Sequence, residues 1–275
     1  MIKFQHTVFA LPFAFTGAIL AAGGLPPWRT IGWILGAMVG ARSGAMVWNR
    51  IADLEFDRRN PRTAARPLVT GEIGLPFAWV FLAASLALFY LSAAMLNRLA
   101  LILATPAAVV ILGYSYAKRF TWTTHLALGA ALGIAPIGAW VAVTGGLGAA
   151  PLMLGAAVAA WVAGFDILYS CQDVDFDRRA GLHSVPARFG VPWALAIARA
   201  LHVLTVVLLV AMRLVTPLGG PWLAGVAVVA ALLAWEHRLV RADDLSRIDQ
   251  AFFTVNALVG FVVLAAAVGE TALRR

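Results

Sequence analysis

The chain has 275 residues, of which 62% are hydrophobic and only 12% charged, with a mean hydropathy of +0.86, whereas an ordinary soluble domain is roughly 25% charged. So few charges cannot cover a water-soluble protein of this size, and most of its surface must meet lipid. The formal charge of +8 would suggest nucleic-acid binding in a soluble chain, but here the basic residues follow the alternation of apolar segments, which removes that reading.

Apolar stretches long enough to cross a hydrocarbon core of about 30 Å as helices are read at 8–25, 30–50, 76–96, 98–116, 123–144, 150–172, 192–212, 217–235 and 250–269. They predict an all-α integral membrane protein of about nine transmembrane helices, forming a single transmembrane domain over 1–275. The first stretch begins just behind Met1 and Lys3, without the n-region or cleavage site of a signal peptide, and is expected to be retained. With the N-terminus cytoplasmic, one side receives Lys3, Arg50, Arg58, Arg59, Arg62, Arg66, Lys118, Arg119, Arg178, Arg179, Arg188, Arg238, Arg241 and Arg247. The other side receives Arg29, Arg98, Arg213, Arg274 and Arg275, and Arg42 and Arg199 fall inside spans. The positive-inside bias therefore predicts a multi-pass protein of the cytoplasmic membrane with its N-terminus inside. The one cysteine, Cys171, allows neither an intramolecular disulfide nor a thiolate zinc site.

Eight of the thirteen acidic residues fall in two short regions: Asp53, Glu55, Asp57 and Glu72 after the second span, and Asp166, Asp173, Asp175 and Asp177 around the end of the sixth. DLEFDRR at 53–59 and DVDFDRR at 173–179 match in every acidic, aromatic and basic position, so an internal duplication of a helix-ending module is expected. On a continuous helix Asn49, Asp53 and Asp57 share one face, as do Tyr169, Asp173 and Asp177. Glu55 and Asp175 fall off that register, towards solvent or the neighbouring arginines. Carboxylates converging from two helices in a partly dehydrated site repel one another unless cations sit among them. Mg²⁺ suits the arrangement because it takes one or two carboxylates and completes its shell with water and phosphate oxygens. Arg62, Arg66, Lys118, Arg178 and Arg179 would then neutralise a diphosphate; the other reading of these residues is as anchors for anionic lipid headgroups.

NRIADLEFD and DILYSCQDVDFD resemble the N-x-x-x-D-x-x-x-D and D-x-x-Y-x-x-x-D-x-x-x-D motifs of the UbiA superfamily of intramembrane prenyltransferases. YSYAKRF at 114–120 and NPRTAARPL at 60–68 are similar to that family's accessory segments. The resemblance implies nine helices around a central cavity, with the aspartates at its cytoplasmic mouth. It implies Mg²⁺-assisted ionisation of a polyprenyl diphosphate and attack by an aromatic acid acceptor, a step in ubiquinone or menaquinone biosynthesis. In those terms Asp53, Asp57, Asp173 and Asp177 bind metal, and Asn49 and Tyr169 belong to the substrate site. Arg66 and Lys118 hold diphosphate oxygens, Tyr114 shields the allylic cation, and Asp166 orients or deprotonates the acceptor. His183, in a loop directly after the second motif, is a candidate for the acceptor's carboxylate. His6, His125, His202 and His237 do not cluster in sequence and are read as interfacial or packing residues.

The segments at 2–15 and 176–190 look more like the futalosine-route menaquinone group. This favours 1,4-dihydroxy-6-naphthoate over 4-hydroxybenzoate, with Gly17, Ala18, Ala21 and Ala22 as either slot or packing residues. A transporter or cation channel is the alternative reading. It is disfavoured because the acids lie at helix ends beside arginines, and not at the bilayer midplane.

Overall fold

The computed structural model describes residues 7–274, with backbone alone at 7–9, so Lys3, His6, Arg275 and the start of the 2–15 segment lie outside the described residues. In chain order the helices are α1 (Thr7–Ala22), α2 (Trp28–Ala52), α3 (Leu54–Arg59), α4 (Pro67–Thr70), α5 (Leu75–Leu96), α6 (Arg98–Ala117) and α7 (Thr124–Thr144). They continue as α8 (Ala149–Ser170), α9 (Val174–Ala180), α10 (Val185–Phe189), α11 (Val191–Ala211), α12 (Gly220–Leu239), α13 (Ile248–Gln250) and α14 (Asn256–Ala272). Among the described residues eight helical stretches are long and apolar enough to span a membrane, and the apolar α1 is a shorter ninth. Helices are the only open-ended way to satisfy every backbone donor and acceptor in lipid. Several begin with proline in the first turn, where its missing N–H costs nothing: Pro67, Pro76, Pro186, Pro192 and Pro221.

Neighbours in sequence are neighbours in space. α2 lies on α5, α6 on α7, α7 on α8, α8 on α11, and α12 on α14, while α1 closes the arrangement against α7 and α14. Lipid tails are as apolar as leucine, so close contact rather than water exclusion holds these helices together. Gly40, inside the small-residue run at 36–45, shows this: a Cβ there would stand 2.6 Å from the Ser85 carbonyl oxygen on α5. α8 is the most enclosed helix, with Leu154, Val158, Trp161, Val162 and Phe165 all buried. Its last turn delivers the second aspartate motif to the end of the bundle where α2 delivers the first.

Candidate active site

Both aspartate motifs begin with the same break in the backbone. α2 ends at Ala52, and Asp53 takes φ −95° and ψ 8° before α3 starts at Leu54. At the second motif Asp173 takes φ −102° and ψ 6° before α9 starts at Val174. These values fall in the sparsely populated bridge region where active-site residues recur. The single continuous helix face expected for Asn49, Asp53 and Asp57 is therefore corrected to two helical segments joined at Asp53. The three side chains still line one polar pocket of about 130 Å³, together with Asp173, Arg62, Arg66 and Lys118. Asn49 Nδ2 donates to Asp53 Oδ2 at 2.9 Å, bracing the carboxylate across the turn.

Each aspartate meets a cation from a different part of the chain. Arg66 Nη1 donates to Asp57. Arg62 forks onto Asp173, Nε to Oδ1 at 3.0 Å and Nη2 to Oδ2 at 2.6 Å. Lys118 Nζ is 2.7 Å from Asp177, whose other oxygen accepts from Ser184 Oγ at 2.9 Å. Arg119 Nη2 lies 3.4 Å from Asp53 and donates to the Ala52 carbonyl, its guanidinium 5.1 Å from the Phe56 ring and 4.9 Å from the Tyr116 ring. The loop after the first motif thus holds the second motif's Asp173, and the end of α6 holds one aspartate of each. Burial, and then the charge of Asp57, push the Asp53 carboxyl above the usual carboxylate range despite Arg119.

The donor set fits magnesium and a diphosphate. Among the described residues no three His, Cys, Asp or Glu side chains form a ready-made cage, but Mg²⁺ needs only one or two carboxylates when phosphate and water fill its remaining positions. Ser115 Oγ and Arg119 Nε, buried donors on two residues that line the pocket, have no hydrogen-bond partner among the described residues. Unsatisfied donors of this kind in a cationic pocket suit phosphate oxygens.

Arg178, Arg179 and His183 stand elsewhere. Asp177 points inward, so the next two residues on α9 turn outward. Arg178 Nε donates to Ala187 O and Arg179 Nε to Asp175 O, both exposed. His183 precedes an extended Ser184 (φ −147°, ψ 162°), and with Leu182 and Ser184 facing in, its ring is exposed. Only its backbone N–H engages, donating to Lys118 O at 2.7 Å. Glu55 pairs with Arg59 and Arg58 at the surface. Tyr169 sits beside the pocket, its ring 5.7 Å below the Arg62 guanidinium and 4.2 Å from the Phe252 ring.

Tyr114 lines a second, apolar cavity of about 340 Å³ between α2, α5, α6 and α7, into which Arg42 also projects. The Nε of Arg42 is buried with no hydrogen-bond partner among the described residues. His125, read from sequence as a packing residue, is buried but bonded: its Nδ1 lies 2.6 Å from Asp166 Oδ2, and Val185 N–H donates to its Nε2 at 3.3 Å. Arg119 stands next to Lys118 in a segment already singled out by resemblance, and Ser184 before Val-Pro reads as a helix cap. Ser115 lies in that same segment and Arg42 stands out as a charge inside a span, whereas His125 carries no such signal.

A multi-pass helical membrane protein with twin aspartate motifs around a cationic pocket is the class that fold and site define. Over residues 10–264 the chain matches the UbiA prenyltransferase family. It is 35% identical over 253 residues to the 4-hydroxybenzoate octaprenyltransferase of Xanthomonas euvesicatoria pv. vesicatoria (strain 85-10), spanning 90% of this chain and 83% of that one. To the 4-hydroxybenzoate octaprenyltransferase of Pseudomonas aeruginosa (strain LESB58) it is 31% identical over 255 residues, 93% and 86% of the two chains. Its structure is similar to the apo structure of a UbiA homolog from Aeropyrum pernix K1, with a TM-score of 0.89 and 37% identity over 98% of this chain and 99% of that one. A UbiA homolog from Archaeoglobus fulgidus bound to GPP and Mg²⁺ shares the fold at 21% identity, with a TM-score of 0.77 over 97% and 95% of the two chains. The chain belongs to the UbiA prenyltransferase family.

Proposed function

We propose that this protein transfers a polyprenyl chain from its diphosphate to a hydroxylated aromatic acid, making a quinone precursor, with the active-site loops on the cytoplasmic face of the inner membrane. The observation that carries the reading is the pocket lined by Asp53, Asp57 and Asp173, with Asp177 buried beside it on the pocket-lining Lys118; each aspartate is matched to a separate cation, at the end of helices α2 and α6 that also line the apolar cavity. Bound by Asp53, Asp57, Asp173 and Asp177, Mg²⁺ would offset the charge that develops on the diphosphate as its bond to carbon breaks. Arg62, Arg66, Lys118 and Arg119 supply the rest of that stabilisation, already oriented before reaction. Tyr114 and the apolar lining keep water from the allylic carbon. Arg42 offers the acceptor's carboxylate a cation inside the cavity, the role that the sequence suggested for His183.

For the acceptor, the relatives' names and the packing favour 4-hydroxybenzoate. The naphthoate preference came from the segments at 2–15 and 176–190, with small residues in the first span as either slot or packing. Gly17 packs against α7 so closely that a Cβ would stand 2.5 Å from the Pro136 carbonyl oxygen, and Ala18 is fully buried. Competition between 4-hydroxybenzoate and 1,4-dihydroxy-6-naphthoate for a limiting long-chain prenyl diphosphate tests this. Preferential prenylation of the benzoate is expected, and preferential prenylation of the naphthoate would reverse the acceptor assignment. No turnover of either acid would reject the function.

A further inference from the structure

The pairing of His125 with Asp166 has a direction that the sequence does not show. His125 is the second residue of α7 and its side chain is 3% exposed. Val185 begins α10, and its N–H points at His125 Nε2. A nitrogen that accepts a hydrogen bond carries no proton, so the neutral ring bears its proton on Nδ1 and donates it to Asp166 Oδ2, 2.6 Å away. Asp166 is thereby held by one oxygen as an acceptor. Among the described residues nothing bonds to its other oxygen, and the side chain keeps 25% exposure, so that oxygen is free to meet a ligand.

We propose that His125 is a positioning residue that, locked in one tautomer by the Val185 N–H, aims the free oxygen of Asp166 at the acceptor ring. This rests on the aromatic prenylation reading above. In that reaction a ring carbon bonds to the prenyl carbon as the carbon–oxygen bond to diphosphate breaks, its electron pair leaving with the diphosphate. The ring C–H proton then passes to the free oxygen of Asp166, and the electrons of that bond restore aromaticity. His125 keeps its own proton throughout, because its Nε2 is occupied, and serves to fix the base and to stabilise its charged form by one strong hydrogen bond. The same Val185 N–H ties this geometry to the loop that supplies Ser184 to Asp177, so the base is set only when the loop beside the diphosphate site is docked.

The test uses the purified full-length protein with Mg²⁺, a polyprenyl diphosphate, and 4-hydroxybenzoate either unlabelled or deuterated on the ring. His125→Leu is expected to lower kcat at least ~10-fold with little change in KM for the diphosphate, and to raise the deuterium isotope effect on kcat above that of the wild type. His125→Asn, which returns an N–H donor near the Nδ1 position, is expected to recover much of the rate. Val185→Pro removes the locking N–H at a first-turn position whose extended predecessor tolerates proline, replaces one buried apolar side chain by another, and guards against His125→Leu failing to fold. It is expected to raise the isotope effect in the same direction. Equal rate losses in His125→Leu and His125→Asn, with the isotope effect of the wild type, would mean a merely structural histidine and overturn the proposal. So would a wild-type rate and isotope effect in His125→Leu or Val185→Pro. Asp166→Asn separates the layers: full turnover there removes Asp166 as the base and the proposal with it, whereas loss in Asp166→Asn with His125→Leu unaffected removes His125 alone.

Discussion

Asp57 and Asp177 are 6% and 0% exposed, yet their partners Arg66 and Lys118 keep 26% and 34% side-chain exposure. That difference decides what a substitution does. Breaking a fully buried ion pair costs about 3–5 kcal/mol because the surviving charge is stranded; here the surviving cation can turn to water, so Asp57→Asn and Asp177→Asn should insert and purify at close to wild-type yield. Turnover is another matter, because each removes a carboxylate from charge stabilisation of the leaving diphosphate. Each variant is expected to lose at least ~10²-fold in kcat, measured with protein levels matched and Mg²⁺ saturating; near-normal turnover in either would argue against its place in the metal site. Asn49, Asp53, Asp57, Asp173 and Asp177 were legible in the sequence because acids are costly in an apolar chain and their repetition is conspicuous. The basic residues were only half legible. An arginine facing a pocket and one facing a lipid headgroup obey the same positive-inside rule, and only the outward turn of α9 separates Arg178 and Arg179 from Arg62 and Arg66.

At the scale of elements, the expected spans lie within about four residues of the helices, the last one matched to the whole helical stretch Ile248–Ala272, since hydropathy over a membrane-length window reads length and composition together. Breaks inside helices leave no such trace. The bridge residues Asp53 and Asp173 were missed, and so was the π-turn at Ala251–Val255 that precedes α14. A π-turn displaces backbone carbonyls from their regular partners, and Asn256 collects two of them. Its Nδ2 lies 3.2 Å from both Ala251 O and Phe252 O and 2.7 Å from Glu236 Oε1, while its Oδ1 accepts from Trp161 Nε1 at 2.8 Å. Hydrogen bonds between membrane helices average about 0.6 kcal/mol each, and two of these four, to Glu236 and Trp161, cross between helices, so Asn256→Ala is expected to cost about 1 kcal/mol through those two. A lower thermal unfolding midpoint in detergent would register it; an unchanged midpoint would mean that the π-turn holds without its clamp. Phe252, inside the turn, stacks on Tyr169, so some misplacement of the wall beside Arg62 should accompany the loss.

Across the whole molecule, the duplicated motif reappears as a duplicated backbone break, at Asp53 and at Asp173. The proposed sidedness is open to labelling. Single cysteines can be placed at the exposed Thr70 and His183, with Cys171 replaced by serine. Both are expected to react with an impermeant thiol reagent only from the cytoplasmic side, and reaction from opposite sides would dissolve the shared site.

The matched ion pairs carry a consequence for how the pocket fills. With every aspartate already engaged by Arg62, Arg66, Lys118 or Arg119, a divalent cation arriving alone must evict an arginine or lysine that then has no anion to go to. A diphosphate arriving alone meets cations whose charge is already spoken for. Arriving together they swap partners, carboxylates to metal and guanidinium groups to phosphate, and each makes room for the other. Binding should therefore be strongly synergistic, and thermodynamic reciprocity requires the enhancement to be equal in both directions. Titration of Mn²⁺ followed by its paramagnetic resonance signal, with and without inorganic diphosphate, is expected to show weak binding in the first case and at least ~10-fold tighter binding in the second, a coupling of about 1.4 kcal/mol. Equal affinities would mean that the resting pairs offer no resistance. On this account the empty enzyme is a self-neutralised store of charge, opened by the metal–diphosphate complex and closed to either ion by itself.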